Sequence, residues 1–506
     1  MLRKIPGPKL NSFFVGKFLE IRSEPFLAPH KRWCQEVGFD APLIYYSVAL
    51  GKNSVLILDK MILKEILTSS FGKQEPRFMK LVDLLSNILG MGLLTVQGKE
   101  WSRHRQIIQP AFNTAFLKES LSRSVPPKIQ NLIQYWAATE GREIDLNSHL
   151  SALTLDIIGD VAFGHDFGGL ESIKQWAEKD DGQDKLAELD DPLMKALLQS
   201  LQLDFITLAL IILDKARWGR YLNPKTVRSR WLLNKAVDQV IQDARDKNTF
   251  DKNSPEKQKS LLQVLLEANE NDQNNSVDKS SASKTKLLAN EELRDNVKTF
   301  VMAGHETTST WLHWALFATS KFPDIQEKVY QDILRHSGGK SDMSQVDMDS
   351  IDQMEYLSAF LNEVLRLYPP VGIFTRLNRH QDNLGGYTIP PQTSLIISPH
   401  IIQRHPHYWD DPDTFQPERW IHDNAEEKAK FDERIRFAFL PFSAGGRNCI
   451  GEKFATMEAK LILVPLIHKF IFQIAPSQRD TEHEFTSFIT MKCKPGLKIS
   501  VKSRSK

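Results

Sequence analysis

The feature that most constrains this chain is a run near its C-terminus, FAFLPFSAGGRNCIGEKFATMEAKLILVP, covering residues 437–465. An apolar extended stretch leads into a glycine loop carrying Cys449, and an amphipathic helix follows. Gly445, Gly446 and Gly451 let backbone approach a flat ligand closely and adopt dihedrals that other residues resist. A sulfur at the mouth of the following helix should meet outward-pointing N–H groups and the positive end of the helix dipole. Both favour thiolate over thiol, the form a metal ligand requires. A single cysteine is more often a small buried hydrophobe, and Cys34 and Cys493 are read that way. For Cys449 the surrounding loop reverses that reading.

A second segment, DNVKTFVMAGHETTSTWLHWALF, belongs to a helix expected over residues 288–317. Phe300, Ala303, Gly304, Thr307 and Trp311 share one of its faces by three- and four-residue spacings. Ala303 and Gly304 thin that face, while Glu306 and Thr307 offer a carboxylate and a hydroxyl able to relay protons or order water. Taken alone, such residues often serve packing only. Further on, QMEYLSAFLNEVLRLYPP places Met354, Leu357, Leu361, Val364, Leu365 and Tyr368 on one stripe before Pro369-Pro370 stops the helix. Glu363 and Arg366 lie three apart on it, at ion-pair spacing. Trp101 and Arg105 stand four apart in W-S-R-H-R, presenting an indole donor and a guanidinium to one carboxylate.

F-S-A-G-G-R-N-C-I-G resembles the haem-binding loop of the cytochrome P-450 superfamily, F-x-x-G-x-R-x-C-x-G, at Phe442, Gly445, Arg447, Cys449 and Gly451. A-G-H-E-T-T is similar to the family's oxygen-activation motif, [AG]-G-x-[DE]-T-[TS], at every position. With E-V-L-R, DTFQPERW and W-x-x-x-R these make five motifs in the family's order, from about Pro6 to Lys498. The resemblance implies a mainly α fold with small β-sheets, one catalytic domain over residues 1–506, and haem b held between the long helix and the cysteine loop. It makes Cys449 the axial iron ligand, with Phe442 packed by the sulfur. Arg447, Trp101, Arg105 and Arg376 would contact haem propionates, Arg376 being alternatively a plain surface side chain. Ala303, Gly304 and Gly451 would border the haem. Thr307 and Glu306 would deliver protons, and Glu363, Arg366 and Arg419 would form a structural triad supporting the haem loop.

The implied reaction is insertion of one oxygen atom of O2 into an apolar substrate of the fatty-acid, terpenoid or sterol kind. Electrons would come from NAD(P)H through a reductase or ferredoxin, for which Lys453 and Lys460 could form a docking surface. A greasy pocket is expected from residues 84–94, Val301, Ala303, Val371 to Phe374 and Phe485 to Ile489. Ala303 stands where related ω-hydroxylases carry a haem-esterifying glutamate, so no such link is expected. Two other readings compete: a haem-thiolate sensor or carrier of gas or lipid without turnover, and reductase-independent hydroperoxide rearrangement.

Composition adds boundaries. Lys and Arg total 65 against 63 for Asp and Glu, so no global charge points to nucleic acid. Three scattered cysteines form neither a disulfide framework nor a zinc cluster, which suits a reducing, cytoplasmic compartment. The opening MLRKIPGPKLNSFF has no signal-peptide core. FITLALIIL, Phe205 to Leu213, is too short to span a membrane, which takes about 20 residues; it reads as a buried helix segment or as a rim in peripheral membrane contact. IYYSVALGKNSVLIL, residues 44–58, signals a β hairpin. Residues 248–286 read as a polar surface insertion around a short apolar helix. The chain is expected to be a monomer.

Overall fold

The computed structural model describes residues 2–9, 16–48, 52–68, 85–176, 219–250, 260–267, 288–338, 340, 343, 346–481, 484–487, 490–494 and 496–504. FITLALIIL lies outside them, as do residues 251–259 and 268–286 of the polar stretch. The fold is mainly helical with small sheets, and it is organised around one helix, Asn290–Lys321. At a rise of about 1.5 Å per residue this helix is about 48 Å long. Its start is fixed locally, because the Glu292 carboxylate accepts the Ala289 N–H at 2.8 Å, satisfying a donor that helix geometry leaves open. From Val297 to Ser320 nearly every side chain is buried, polar ones such as Lys298, His305 and Thr319 included. The interruption is local: Ala303 is exposed and Gly304, Glu306 and Thr307 are part-exposed.

Helices Leu146–Ile158, Glu355–Leu367 and Glu452–Lys469 pack against this one, as do Pro224–Phe250 and Pro323–His336. Contact with the first is tight at Gly304, where an added Cβ would lie 2.7 Å from Ile158 Cγ1. The indole N–H groups of the central helix are used to tie it to other elements. Trp311 donates to the Leu361 carbonyl at 3.3 Å and Trp314 to the Met491 carbonyl at 2.7 Å. The short helix at 261–267 buries Leu261, Leu262, Leu265 and Leu266 in this same core, so the middle of the polar stretch is part of the main packing.

Small sheets flank this bundle, and Phe470, Phe472, Ile499 and Val501 pack into its core. Strands β1 (Leu43–Ser47) and β2 (Asn53–Ile57) form an antiparallel hairpin. With Phe374–Leu377 and Ser394–Ile397 they make a four-stranded sheet, in which β2 and Ser394–Ile397 run parallel. Lys498–Ser503 lies between Ile144–Asp145 and Phe470–Ile474 and pairs antiparallel with both. A separate hairpin joins Glu484–Ser487 to Met491–Lys494. No helix among the described residues is long and apolar enough to cross a membrane.

Glu363 and Arg366 are fully buried, and their pair is saturated with partners. Arg366 Nε and Nη2 bind the carboxylate at 2.9 and 2.8 Å. Its remaining donors go to the carbonyls of Gln403, Pro412 and Thr414 at 2.9, 2.6 and 2.9 Å. Glu363 also accepts from Arg419 Nε, the Trp420 indole and the Gln416 N–H at 3.1, 3.0 and 2.8 Å. Gln403 extends the cluster toward the cysteine loop. Its amide donates to the Leu365 and Arg366 carbonyls, both at 2.9 Å, and its oxygen accepts the Leu440 N–H at 2.8 Å.

Buried ion pairs are costly to break because the surviving partner is stranded. Glu363→Ala should therefore lower the unfolding free energy by about 3–5 kcal/mol, measured by denaturant titration. A variant as stable as the parent would show that the cluster carries no such constraint.

Candidate functional site

The cysteine loop is held by its own backbone. Cys449 N–H donates to the Phe442 carbonyl at 2.9 Å, Asn448 N–H to the Gly445 carbonyl at 3.2 Å and Ser443 N–H to the Leu440 carbonyl at 3.1 Å. Gly445 sits at φ +72°, and a Cβ there would come 2.0 Å from the Leu67 carbonyl oxygen, so both dihedral and space require glycine. Phe442 projects toward the central helix and meets the Trp311 ring edge-on, with centroids 6.0 Å apart.

Between this loop and the central helix lies a cavity of roughly 1740 Å³, part of it open to solvent. Cys449, Phe442, Ile450 and Gly451 line one side and Ala303, Gly304 and Thr307 another. Cys449 is exposed, but to the cavity, for its thiol lies deep in the protein. Burial pushes this thiol above its ordinary pKa, outweighing the Gly451 N–H and the nearby Arg105 charge, which favour thiolate. Burial, with the nearby Glu452 charge, works against the thiolate that the sequence suggested. A bound cation would secure it, since coordination deprotonates a thiol outright.

Three guanidinium groups reach the same cavity. Arg105 donates to the Asn448 carbonyl and side-chain oxygen, each at 3.0 Å. Arg447 lies over the Trp101 ring at 4.1 Å and donates to the Val96 carbonyl at 3.2 Å. Its Nε and Nη2 have no partner. Arg376, far from being a surface side chain, is 4% exposed; it donates to the Thr375 carbonyl at 3.1 Å and leaves Nε without a partner. Burial lowers all three, and the charges of Arg376 and Arg105 help bring Arg447 down to about 9. Among the described residues no carboxylate pairs with any of them. Such a concentration of buried positive charge is unfavourable until an anion joins it.

Thr307 and Glu306 are adjacent in sequence but face apart. The Thr307 hydroxyl donates to the Ala303 carbonyl at 2.7 Å and borders the cavity. Glu306 does not line it; its Oε1 accepts from Thr490 Oγ1 and Lys492 Nζ, both at 2.9 Å. Although burial opposes it, Lys492 and neighbouring donors hold this carboxyl below its usual range. Nothing in A-G-H-E-T-T signals a lysine so distant in sequence.

The cavity wall overlaps the pocket expected from sequence only in part. Leu93, Leu94, Ala303, Val371 and Phe374 border it. Val301 is fully buried elsewhere, and Phe485 packs against Trp314, Tyr368 and His400; residues 84, 488 and 489 lie outside the described residues. Apolar wall residues missed from sequence are Phe112, Leu117, Ile158, Val161 and Leu261. Asn448, the partner of Arg105, was also missed, though it lies within the motif. Of the two lysines expected at a docking face, Lys453 is exposed, whereas Lys460 is buried beside Asp352 at 3.5 Å.

Comparison with known proteins is consistent along nearly the whole chain. The family model described as Cytochrome P450 matches residues 6–499. Cytochrome P450 CYP72A616 of Paris polyphylla is 29% identical, over 92% of this chain and 84% of its own length. Cytochrome P450 4Z1 of Homo sapiens is 26% identical, over 85% and 79%. Protein LUTEIN DEFICIENT 5, chloroplastic, of Arabidopsis thaliana is 27% identical, over 99% and 77%.

A methyl group at position 445 would strain the loop whatever the cavity holds. Gly445→Ala should cost about 1–3 kcal/mol of stability, measured by thermal or denaturant unfolding. An unchanged midpoint would mean that the loop can move away from Leu67.

Proposed function

Because this chain belongs to the cytochrome P450 family and is a haem-dependent monooxygenase, we propose that Cys449 is its iron ligand and that Arg105, Arg376 and Arg447 neutralise the two haem propionates. The observation that carries this reading is one cavity bordered by a deep sulfur, a helix hydroxyl and three arginines lacking an acid. Those features fit haem: a thiol for the metal, a thin helix face at Ala303 and Gly304, and unpaired guanidinium donors for a planar dianion. When bound, haem supplies the binding and reductive activation of O2, which the family performs with electrons from a redox partner and on hydrophobic substrates.

The chain's own contribution is positional. Leu93, Phe112, Ile158, Val161, Phe300 and Val371 exclude water and favour an apolar substrate of the fatty-acid, terpenoid or sterol kind, held by contact area rather than by ion pairing. Thr307, whose own proton is engaged by the Ala303 carbonyl, offers the cavity an acceptor that orders a water. Rotation of the same side chain turns its O–H toward the cavity and makes it a donor. Ionised Glu306, held by Lys492 and Thr490, would have to leave them to serve Thr307. NAD(P)H is proposed as the ultimate electron source.

Reduction under carbon monoxide tests the assignment. The native protein should show the red-shifted Soret band of a thiolate-ligated haem, and Cys449→Ser should lose it; a band surviving that substitution would exclude Cys449. Thr307→Ala should keep the band but divert NAD(P)H consumption into peroxide, whereas unchanged coupling would remove Thr307 from proton delivery.

A further inference from the structure

The loop at residues 90–96 brings Leu93 and Leu94 to the cavity wall, and side chains of the central helix hold it there. Met91 N–H donates to the Asp295 carboxylate at 2.6 Å and Leu93 N–H to the Asn296 side-chain oxygen at 2.8 Å. The loop backbone lies directly on these groups. A Cβ on Gly90 would fall 2.1 Å from Asp295 Oδ2, and one on Gly92 would fall 2.3 Å from Thr299 Oγ1, so both positions need the close approach that glycine allows. The Thr95 hydroxyl closes the turn on the Gly90 carbonyl at 2.7 Å.

The other oxygen of Asp295 meets Lys298 Nζ at 2.7 Å. Lys298 is 1% exposed, and a lysine is almost never so buried unless it is paired. Burial works against its charge and Asp295 supports it. The same Nζ donates to Asn234 Oδ1 at 2.9 Å, in the helix Pro224–Phe250. One turn along that helix, Asp238 accepts from Arg294 at 2.6 and 2.9 Å. That second rung is open to solvent and therefore contributes little, which leaves Lys298 as a buried tie between the two helices.

A continuous path thus runs from Asn234 through Lys298 and Asp295 to the backbone of the wall loop, although none of these three side chains borders the cavity. The ammonium on one oxygen of Asp295 fixes the carboxylate for the N–H on the other. Without it, a largely desolvated carboxylate turns toward water or takes up a proton, and either change loosens Met91. Fit at an apolar wall is sensitive to small displacements, since one methylene of room changes selectivity by about tenfold or more.

We propose that Lys298 and Asp295 are positioning residues that set specificity: through them the helix Pro224–Phe250 fixes residues 90–94, and with these the size of ligand that the cavity admits. This deepens the monooxygenase reading above and rests on it. Leu93 and Leu94 make the contact with the ligand, while Lys298 and Asp295 act only through the loop.

Three variants test it: Lys298→Met, which keeps the stem and removes the charge, Asn234→Ala on the neighbouring helix, and the two combined. In the haem-loaded protein, amide hydrogen exchange at residues 90–94 should quicken about tenfold or more in Lys298→Met, and less in Asn234→Ala. The double variant should exchange no faster than Lys298→Met, because both substitutions act on one path. Exchange in the cysteine loop, residues 442–451, should stay native. Affinity for 4-phenylimidazole relative to imidazole, read from the Soret shift, should rise several-fold in Lys298→Met. Native exchange at residues 90–94, effects that multiply in the double variant, or an affinity ratio that does not rise overturns the inference and leaves the haem assignment standing. Should Lys298→Met fail to fold, Asn234→Ala decides by the same two measurements. A native protein whose spectrum responds to neither azole would overturn the preceding reading together with this one.

Discussion

Positive charge buried without a counter-charge is the constraint on which the rest of this structure turns. Arg105, Arg376 and Arg447 converge on one cavity, and burial works against each of them. The protein elsewhere shows how it treats a buried arginine it means to satisfy. Arg366 has a partner for every donor, including both oxygens of Glu363. Arg376 and Arg447 instead keep donors open, and among the described residues no carboxylate meets any of the three.

The same logic links the cysteine to its ligand. A thiol this deep resists ionisation, and the loop's N–H donor does not reverse that. On the proposed reading, bound iron would supply the charge that makes the thiolate favourable. The loop's task is placement, achieved by the Phe442 carbonyl on the Cys449 N–H and by Gly445 against Leu67. The Glu363–Arg366–Gln403 cluster reaches the strand before that loop through Leu440, which couples the rigidity of the helical core to the sulfur's position.

Legibility in sequence followed the range of the interactions. Cys449 with its glycines, the thin face at Ala303, Gly304 and Thr307, and the pair Glu363–Arg366 are set by neighbours within a turn or a loop, so spacing marked them as candidates and the family resemblance supplied their expected roles. The mainly helical fold with small sheets was readable for the same reason. Glu306 was not placed, because its orientation depends on Lys492 of a distant hairpin. Arg376 could not be distinguished from a surface residue, since its burial arises from a sheet whose strands come from both ends of the chain.

The charge account has one direct measurement: the affinity of the haem-free protein for haem compared with haem whose two propionates are methyl esters. If the arginines await those carboxylates, the diester should bind weaker by about 2–5 kcal/mol, the range for depriving a buried charge of its partner. Equal affinity for the two forms would contradict the account and leave the arginine cluster without a ligand.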